Sequence, residues 1–382
     1  MRSEPTQALD AAGFITLVHG GGEPDPELKE LLDRHQAVRI TAADAFELAA
    51  VGEVALLHVF DIDLGDRATV THLQKELRAE DSVPRLFILD SAQRRDIVQA
   101  HSLGSDDYLV RPLAHASISG VLAQLVNRSV ERRWDGLSQV QSAALKVSLK
   151  VFEDSIAGVK DGAPPPVDSI KESCDLVVKA TAEDGLVDWM QAVRLHHNYI
   201  YRHSMMVCGY LVAFGHHIGI RGEEMQRLTV AGMLHDLGKA FVPLELLDKP
   251  SKLDPNEWAV MQMHPSHSRD IFDSELDLHP DIADAAIHHH EKLDGTGYPD
   301  GLKGGEIRDL ARMVAICDVF SGLIDKRAYK PAMPAEKAME IMRSMQGHLD
   351  QPLVEAFAPV AMGGEKKFMP LDLAYSRPSI ET

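Results

Sequence analysis

The residues most suited to chemistry are histidines and aspartates in the second half of the chain. Residues 288–302 read HHHEKLDGTGYPDGL, where three histidines and a glutamate open into a loop with glycines at 295, 297 and 301. Neutral imidazole and carboxylate are ligands for divalent first-row metals. Glycine lets a backbone turn sharply and lets a ligand come close. The stretch therefore suggests a metal site with a substrate rim, although surface histidines are common and such a run can arise by accident.

Other stretches supply partners. His203 lies in YIYRHSMMVCGYLVAF, where a lone histidine would more often be a satisfied core residue. HDLGK (235–239) places His235 beside Asp236 at a predicted helix end capped by Gly238. Adjacent helical residues point about 100° apart, so the two can face two metals or bridge them. A helix with Asp254 as N-cap, Pro255 at its first position and Glu257 completing the box carries His264, and Pro265 bends or ends it there. His267 reads as an accessory or surface residue. Asp318 sits in RMVAICDVFSGLI, too apolar a helix for an unpaired carboxylate; coordination, an arginine partner or a capping bond would each satisfy it.

His203, His235, Asp236, His264, His289, His290 and Asp318 together offer seven N/O ligands from five helices. That is too many for one structural zinc, and no cysteine cluster supplies one. They suit two octahedral ions, the arrangement that activates water and clamps a phosphodiester in line.

The elements that must position these ligands fall into two predicted domains. Up to about residue 115, strand-like runs FITLV (14–18), VALLHVF (54–60), RLFIL (85–89) and DYLV alternate with helical stretches at 26–36, 43–50 and 66–79. Such alternation predicts an α/β doubly wound parallel sheet. A linker helix over 116–133 carries apolar residues at 118, 121, 122, 125 and 126, a stripe that either covers its own domain or pairs with a second copy as a homodimer. Helices at 137–160, 167–182 and 184–197 lead into an all-α domain that continues to the end, giving domains of 1–115, 116–136 and 137–382.

Composition narrows the classes. With 39 Lys+Arg against 58 Asp+Glu the net charge is −19, which argues against a nucleic-acid partner, and an anionic substrate would need local positive charge. No apolar run approaches membrane-spanning length and the N-terminus lacks a secretory core, so the expected location is cytoplasmic, without membrane association. Cys174, Cys208 and Cys317 are widely spaced and read as buried thiols.

Over about 185–360 the sequence resembles the HD-GYP family of metal-dependent phosphohydrolases, through YRHS (201–204), HDLGK, MHP (263–265), HHEKLDGTGYPDGL (289–302) and CDVF (317–320). The resemblance implies hydrolysis of cyclic di-GMP to the linear dinucleotide or GMP with iron or manganese as cofactors. It implies that Lys239 contacts the scissile phosphate, that Arg327 and Lys330 hold substrate phosphate, and that Tyr298 of the GYP triplet orders its loop and meets a base or partner signalling protein. Tyr199 stands where trinuclear members carry a bridging glutamate, so two metals are expected. Ser321 replaces a family aspartate and Ala328 a family proline. A non-hydrolysing receptor or scaffold, and a hydrolase of another cyclic dinucleotide, are the competing readings.

The first domain resembles the receiver (flavodoxin-like) domains of two-component signalling, through VFDIDL (59–64), VP (83–84) and GSDDYLVRPL (104–113). Asp61 stands at the phospho-acceptor position, but His19 and Gly20 replace the acidic pair, Leu89 or Asp90 the threonine, and Arg111 the lysine. Losing the oxygen ligands for Mg²⁺ points to docking or dimerisation instead of phosphorylation.

Overall fold

Short runs rich in Val, Ile, Leu and Phe bury both faces only when they lie side by side under helices. In the computed structural model, which describes residues 13–48, 55–77, 83–247, 249, 251–273, 276–325 and 333–363, they do so. Strands β1 (Phe14–His19), β2 (Val38–Ala42), β3 (Ala55–Asp61), β4 (Arg85–Leu89) and β5 (Asp107–Val110) form a parallel sheet in the order β2-β1-β3-β4-β5. Around it run α1 (Pro26–His35), α2 (Arg67–Glu76), α3 (Arg94–Ser102) and α4 (His115–Arg133). Side chains alternate across each strand. Ile15, Leu17, Leu57, Val59, Leu86 and Ile88 share a core with Leu28 and Leu32 of α1 and with α4, while Val18, Phe60, Phe87 and Leu89 share the other with Val70, Leu73 and Ala100 of α2 and α3.

Two sequence expectations change here. β2 and α3 complete the alternation but were not foreseen: VRITA, at the sheet edge, buries none of its side chains fully and so shows no clean period. Within the helix expected over 43–50, the described residues form a 3₁₀ turn, Ala43–Ala45, then extended Phe46, with α-helical backbone resuming at Leu48. Ala43 and Phe46 are both buried, so a tight turn already meets the apolar spacing at the start of this stretch. Residues 49–50 lie outside the described residues.

Asp61 ends β3 and is held by Arg111 through two bonds of 2.8 and 2.9 Å. Arg111 also reaches Asp25, the N-cap of α1, at 2.7 Å. Burial pushes the Asp61 carboxyl up despite this partner.

The stripe on α4 packs inside the chain: Ile118, Leu122, Leu125 and Val126 are buried against the sheet, and Val130 and Trp134 carry the same core into the helical half. There follow α5 (Gln139–Lys160), α6 (Val167–Glu183), α7 (Leu186–Arg194), α8 (Tyr199–His217), α9 (Gly222–Leu234), α10 (Leu244–Leu247), α11 (Pro255–Met261), α12 (His264–Phe272), α13 (Pro280–His288), α14 (Asp309–Ile324), α15 (Ala335–Ser344) and α16 (Gln351–Met362). The central helix is α8, buried almost throughout because its sequence is apolar all round. Gly209 lets α7 lie against it, since a Cβ there would stand 2.6 Å from Trp189 Cδ1. Cys174, Cys208 and Cys317 are buried free thiols. Among the described residues no helix is long and apolar enough to cross a membrane.

Trp134 is 1% exposed, stacks on His196 at 5.7 Å and donates from Nε1 to the carbonyl of Ala192 at 3.3 Å, so it joins the two halves of the core. Trp134→Ala is expected to cost about 3–5 kcal/mol of folding stability. A denaturant titration checks this; a midpoint unchanged from the parent would show that the junction carries no stability.

Candidate metal centre

Helix C-termini leave their last carbonyls without N–H partners. Three histidines exploit this. His235 follows α9 and its Nδ1–H donates to the carbonyl of Gly232 at 2.7 Å. His289 follows α13 and donates likewise to Ala286 at 3.0 Å. His264 opens α12 and donates to Met261, the last residue of α11, at 2.8 Å. A carbonyl only accepts, so in each ring the proton sits on Nδ1 and the Nε2 lone pair points inward.

Those lone pairs converge on Asp236. Its Oδ2 lies 3.3 Å from His235 Nε2 and 3.7 Å from His203 Nε2. Its Oδ1 lies 3.3 Å from His264 Nε2 and 3.8 Å from His289 Nε2. One carboxylate thus faces two sets of imidazoles, His203 with His235 and His264 with His289 and His290, and within each set the ligand atoms, with Asp236, lie within 4.8 Å of one another. Asp318, from α14, spans the halves from elsewhere, 2.8 Å from His203 Nε2 and 3.8 Å from His290 Nδ1. All seven sequence-predicted ligands are therefore brought together.

The donor set fits divalent cations. Asp236 Oδ1 and His235 Nε2 are buried without a hydrogen-bond partner among the described residues, a state that is costly unless something coordinates them. Burial lowers His264 to about 3 and His289 to about 4, and drives His290 well below its usual value, so these imidazoles are neutral. Burial also lowers His203, whereas for His235 the charge of Asp236 outweighs it and the net shift is upward. Burial opposes ionisation of Asp236 too, yet Lys239 and the histidines hold it well below the carboxylate range. Lys239 donates to Asp236 Oδ2 at 2.5 Å; burial would discharge it, but Asp236, Tyr199 and Asp318 raise it and keep the ammonium charged.

The surroundings explain residues that spacing did not. Gly238 lies within the 3₁₀ segment Leu237–Phe241 and is not the helix cap expected of it. It is needed because a Cβ there would fall 2.0 Å from the carbonyl oxygen of His264, so its absence lets α12 reach the cluster. His264 belongs to α12 and not to the helix begun at Pro255, which ends at Met261 because Pro265 suits a helix start better than an interior. His267 stays outside the cluster, against the Phe241 ring. Glu291, read from the sequence as one more carboxylate, is 3% exposed and accepts the backbone N–H groups of Asp300, Gly301 and Leu302 at 2.7, 2.9 and 3.0 Å. It folds the glycine loop. Gly297 gives the loop room, since a Cβ there would lie 2.4 Å from Glu291 Cα.

Tyr298 packs its ring on His290 at 4.9 Å. Ser321 is buried, its hydroxyl without a hydrogen-bond partner among the described residues. Arg327, Ala328 and Lys330 lie outside the described residues.

Residues 189–353 match the family described as HD domain. The matched segment is similar to that family and contains the His235-Asp236 pair at the middle of the cluster. Similar proteins include a cyclic di-GMP phosphodiesterase of Pseudomonas aeruginosa, 36% identical over 159 residues, covering 42% of this chain and 38% of that protein. A 3′3′-cGAMP-specific phosphodiesterase of Vibrio cholerae is 40% identical over 140 residues, 37% of this chain and 30% of that protein. A cyclic di-GMP phosphodiesterase of Vibrio cholerae is 31% identical over 263 residues, 65% of this chain and 52% of that protein. The chain thus spans about a third to a half of the length of these relatives.

Glu291→Ala removes the two carboxylate oxygens that accept the loop's three N–H groups. It is expected to cost on the order of 3 kcal/mol locally. Hydrogen exchange should quicken at Asp300, Gly301 and Leu302; unchanged exchange there would mean that something other than Glu291 holds the loop.

Proposed function

We propose that this chain is a metal-dependent phosphodiesterase that hydrolyses cyclic di-GMP to the linear dinucleotide, to GMP, or to both. The observation that carries the reading is Asp236, each of whose oxygens faces its own set of imidazoles. His203 and His235 would hold one cation and His264, His289 and His290 the other, with Asp236 and Asp318 between them. A mixed imidazole and carboxylate set suits iron or manganese. When bound, such a pair supplies an activated water and polarises the phosphoryl oxygens.

The chain's own groups are in the states this needs. Four of the five histidines have lowered proton affinity, and Asp236 and Asp318 are held well below the usual carboxylate range, so the ligands offer lone pairs near neutral pH. Lys239 stays charged beside them and would offset the negative charge that builds on a phosphodiester during attack. Arg327 and Lys330 would grip the second phosphate, and Tyr298 would border the pocket while holding His290.

The strand order of the first sheet is that of flavodoxin-like folds and supports a receiver-like domain over about 1–115, joined by the helix at 116–136 to the HD unit from 137 onward. With Arg111 on Asp61, that domain serves docking better than phosphorylation. Relatives named for cGAMP make the hybrid of GMP and AMP a second candidate substrate, to be separated by competition between the two dinucleotides.

His235→Ala combined with Asp236→Ala is expected to lower hydrolysis of cyclic di-GMP by about 10³-fold or more, since metal stabilisation of the transition state is worth several kcal/mol. Metal content, read by mass spectrometry, should fall with it. Undiminished turnover by the folded double variant would overturn the assignment.

A further inference from the structure

Three histidines open the stretch at 288–290, and two of them join the metal cluster. His288 does not, because both of its ring nitrogens are engaged elsewhere. Its Nδ1 meets Asp284 Oδ1 at 3.0 Å, one turn back on α13, and its Nε2 meets Asp300 Oδ2 at 3.0 Å, in the glycine loop. Carboxylates only accept, so a ring that serves both donates from each nitrogen.

The line continues at both ends. The same Asp300 oxygen receives Arg269 Nη2 at 2.5 Å, from α12. Asp284 Oδ1 lies 3.6 Å from Nε of Arg308, the residue before α14, which also bonds Asp281. Arg269, Asp300, His288, Asp284 and Arg308 thus form a run of donors and carboxylates in alternation. A lone exposed ion pair contributes little, but several charges in a network hold geometry. His288 and Asp284 are largely buried, while Arg269 and Asp300 form the outer, partly exposed end.

The route of this network coincides with one half of the site. α12 carries His264, α13 leads into His289 and His290, and the loop brings the Tyr298 ring onto His290, two residues before Asp300. None of the five residues comes from α8 or α9, which bring His203 and His235. His264 Nε2 and His289 Nε2 stand 3.5 Å apart, a spacing that depends on how α12 lies against α13. We propose that Asp300 is a positioning residue, clamping α12 to α13 through Arg269 and His288 so that His264, His289 and His290 close around one cation. This rests on the two-cation reading above.

Asp300→Ala keeps every ligand, and its site at the partly exposed end of the network lets the variant fold, which an unchanged circular dichroism spectrum checks. When the full chain is titrated with Mn²⁺ by calorimetry, one ion should bind as in the parent and the other about tenfold or more weakly. Arg269→Ala, on a different element, should weaken the same ion, and the double variant should be no weaker than either single one. Parent-like binding of both ions by Asp300→Ala would overturn the inference. So would equal weakening of both ions, or additive losses in the double variant, because the two residues would then not act as one clamp on one subsite. A parent chain that takes up fewer than two Mn²⁺ would overturn it as well. If the parent takes up two and the variants follow the expected pattern, yet no cyclic dinucleotide is hydrolysed, the clamp stands and the phosphodiesterase reading falls.

Discussion

A carboxylate buried among five imidazoles is tolerable only if its charge is answered, and the helical half of this chain is arranged around that demand. Asp236 is 1% exposed and receives Lys239 on one oxygen, while Oδ1 has no hydrogen bond among the described residues. The low dielectric that makes such a charge expensive also strengthens its attraction for a cation. Every other ligand is placed by an element that reaches Asp236 from a different direction: α8, the ends of α9 and α13, the start of α12, and α14.

Orientation comes from the backbone. Placing a histidine where a helix stops lets one ring nitrogen satisfy an orphan carbonyl while the other is aimed across the cavity. The same device appears at His235, His264 and His289, so three ligands are fixed without further side-chain partners. Close approach of the helices then depends on missing atoms. Gly238 admits the turn that carries His264, and Gly297 admits the loop that carries Tyr298 onto His290.

Much of this was legible in the sequence, for physical reasons. Histidines and aspartates stranded in apolar helices announce themselves, and the ligand order could be read without knowing the turns between them. The capping box at Asp254 also formed as its spacing demanded. What periodicity concealed was whatever depends on close contact in space. Glu291 stood beside the ligand histidines as a carboxylate without an assigned role, and three backbone N–H groups claim it. Gly238 looked like a helix cap, but its reason lies far along the chain at His264 and Ser268. VRITA was overlooked because an edge strand exposed on both faces leaves no pattern of alternation. Whether the apolar stripe on α4 faced inward or toward a second copy could not be read from spacing; the sheet that covers it comes from residues far earlier in the chain.

The account stands or falls on two cations sharing Asp236. Anomalous diffraction at the iron and manganese edges, from crystals grown with these ions and without chelators, tests that directly. Two peaks about 3.5–4 Å apart, one on each side of the Asp236 carboxylate, are the result expected of a binuclear site. A single peak remote from Asp236, or none, would contradict it.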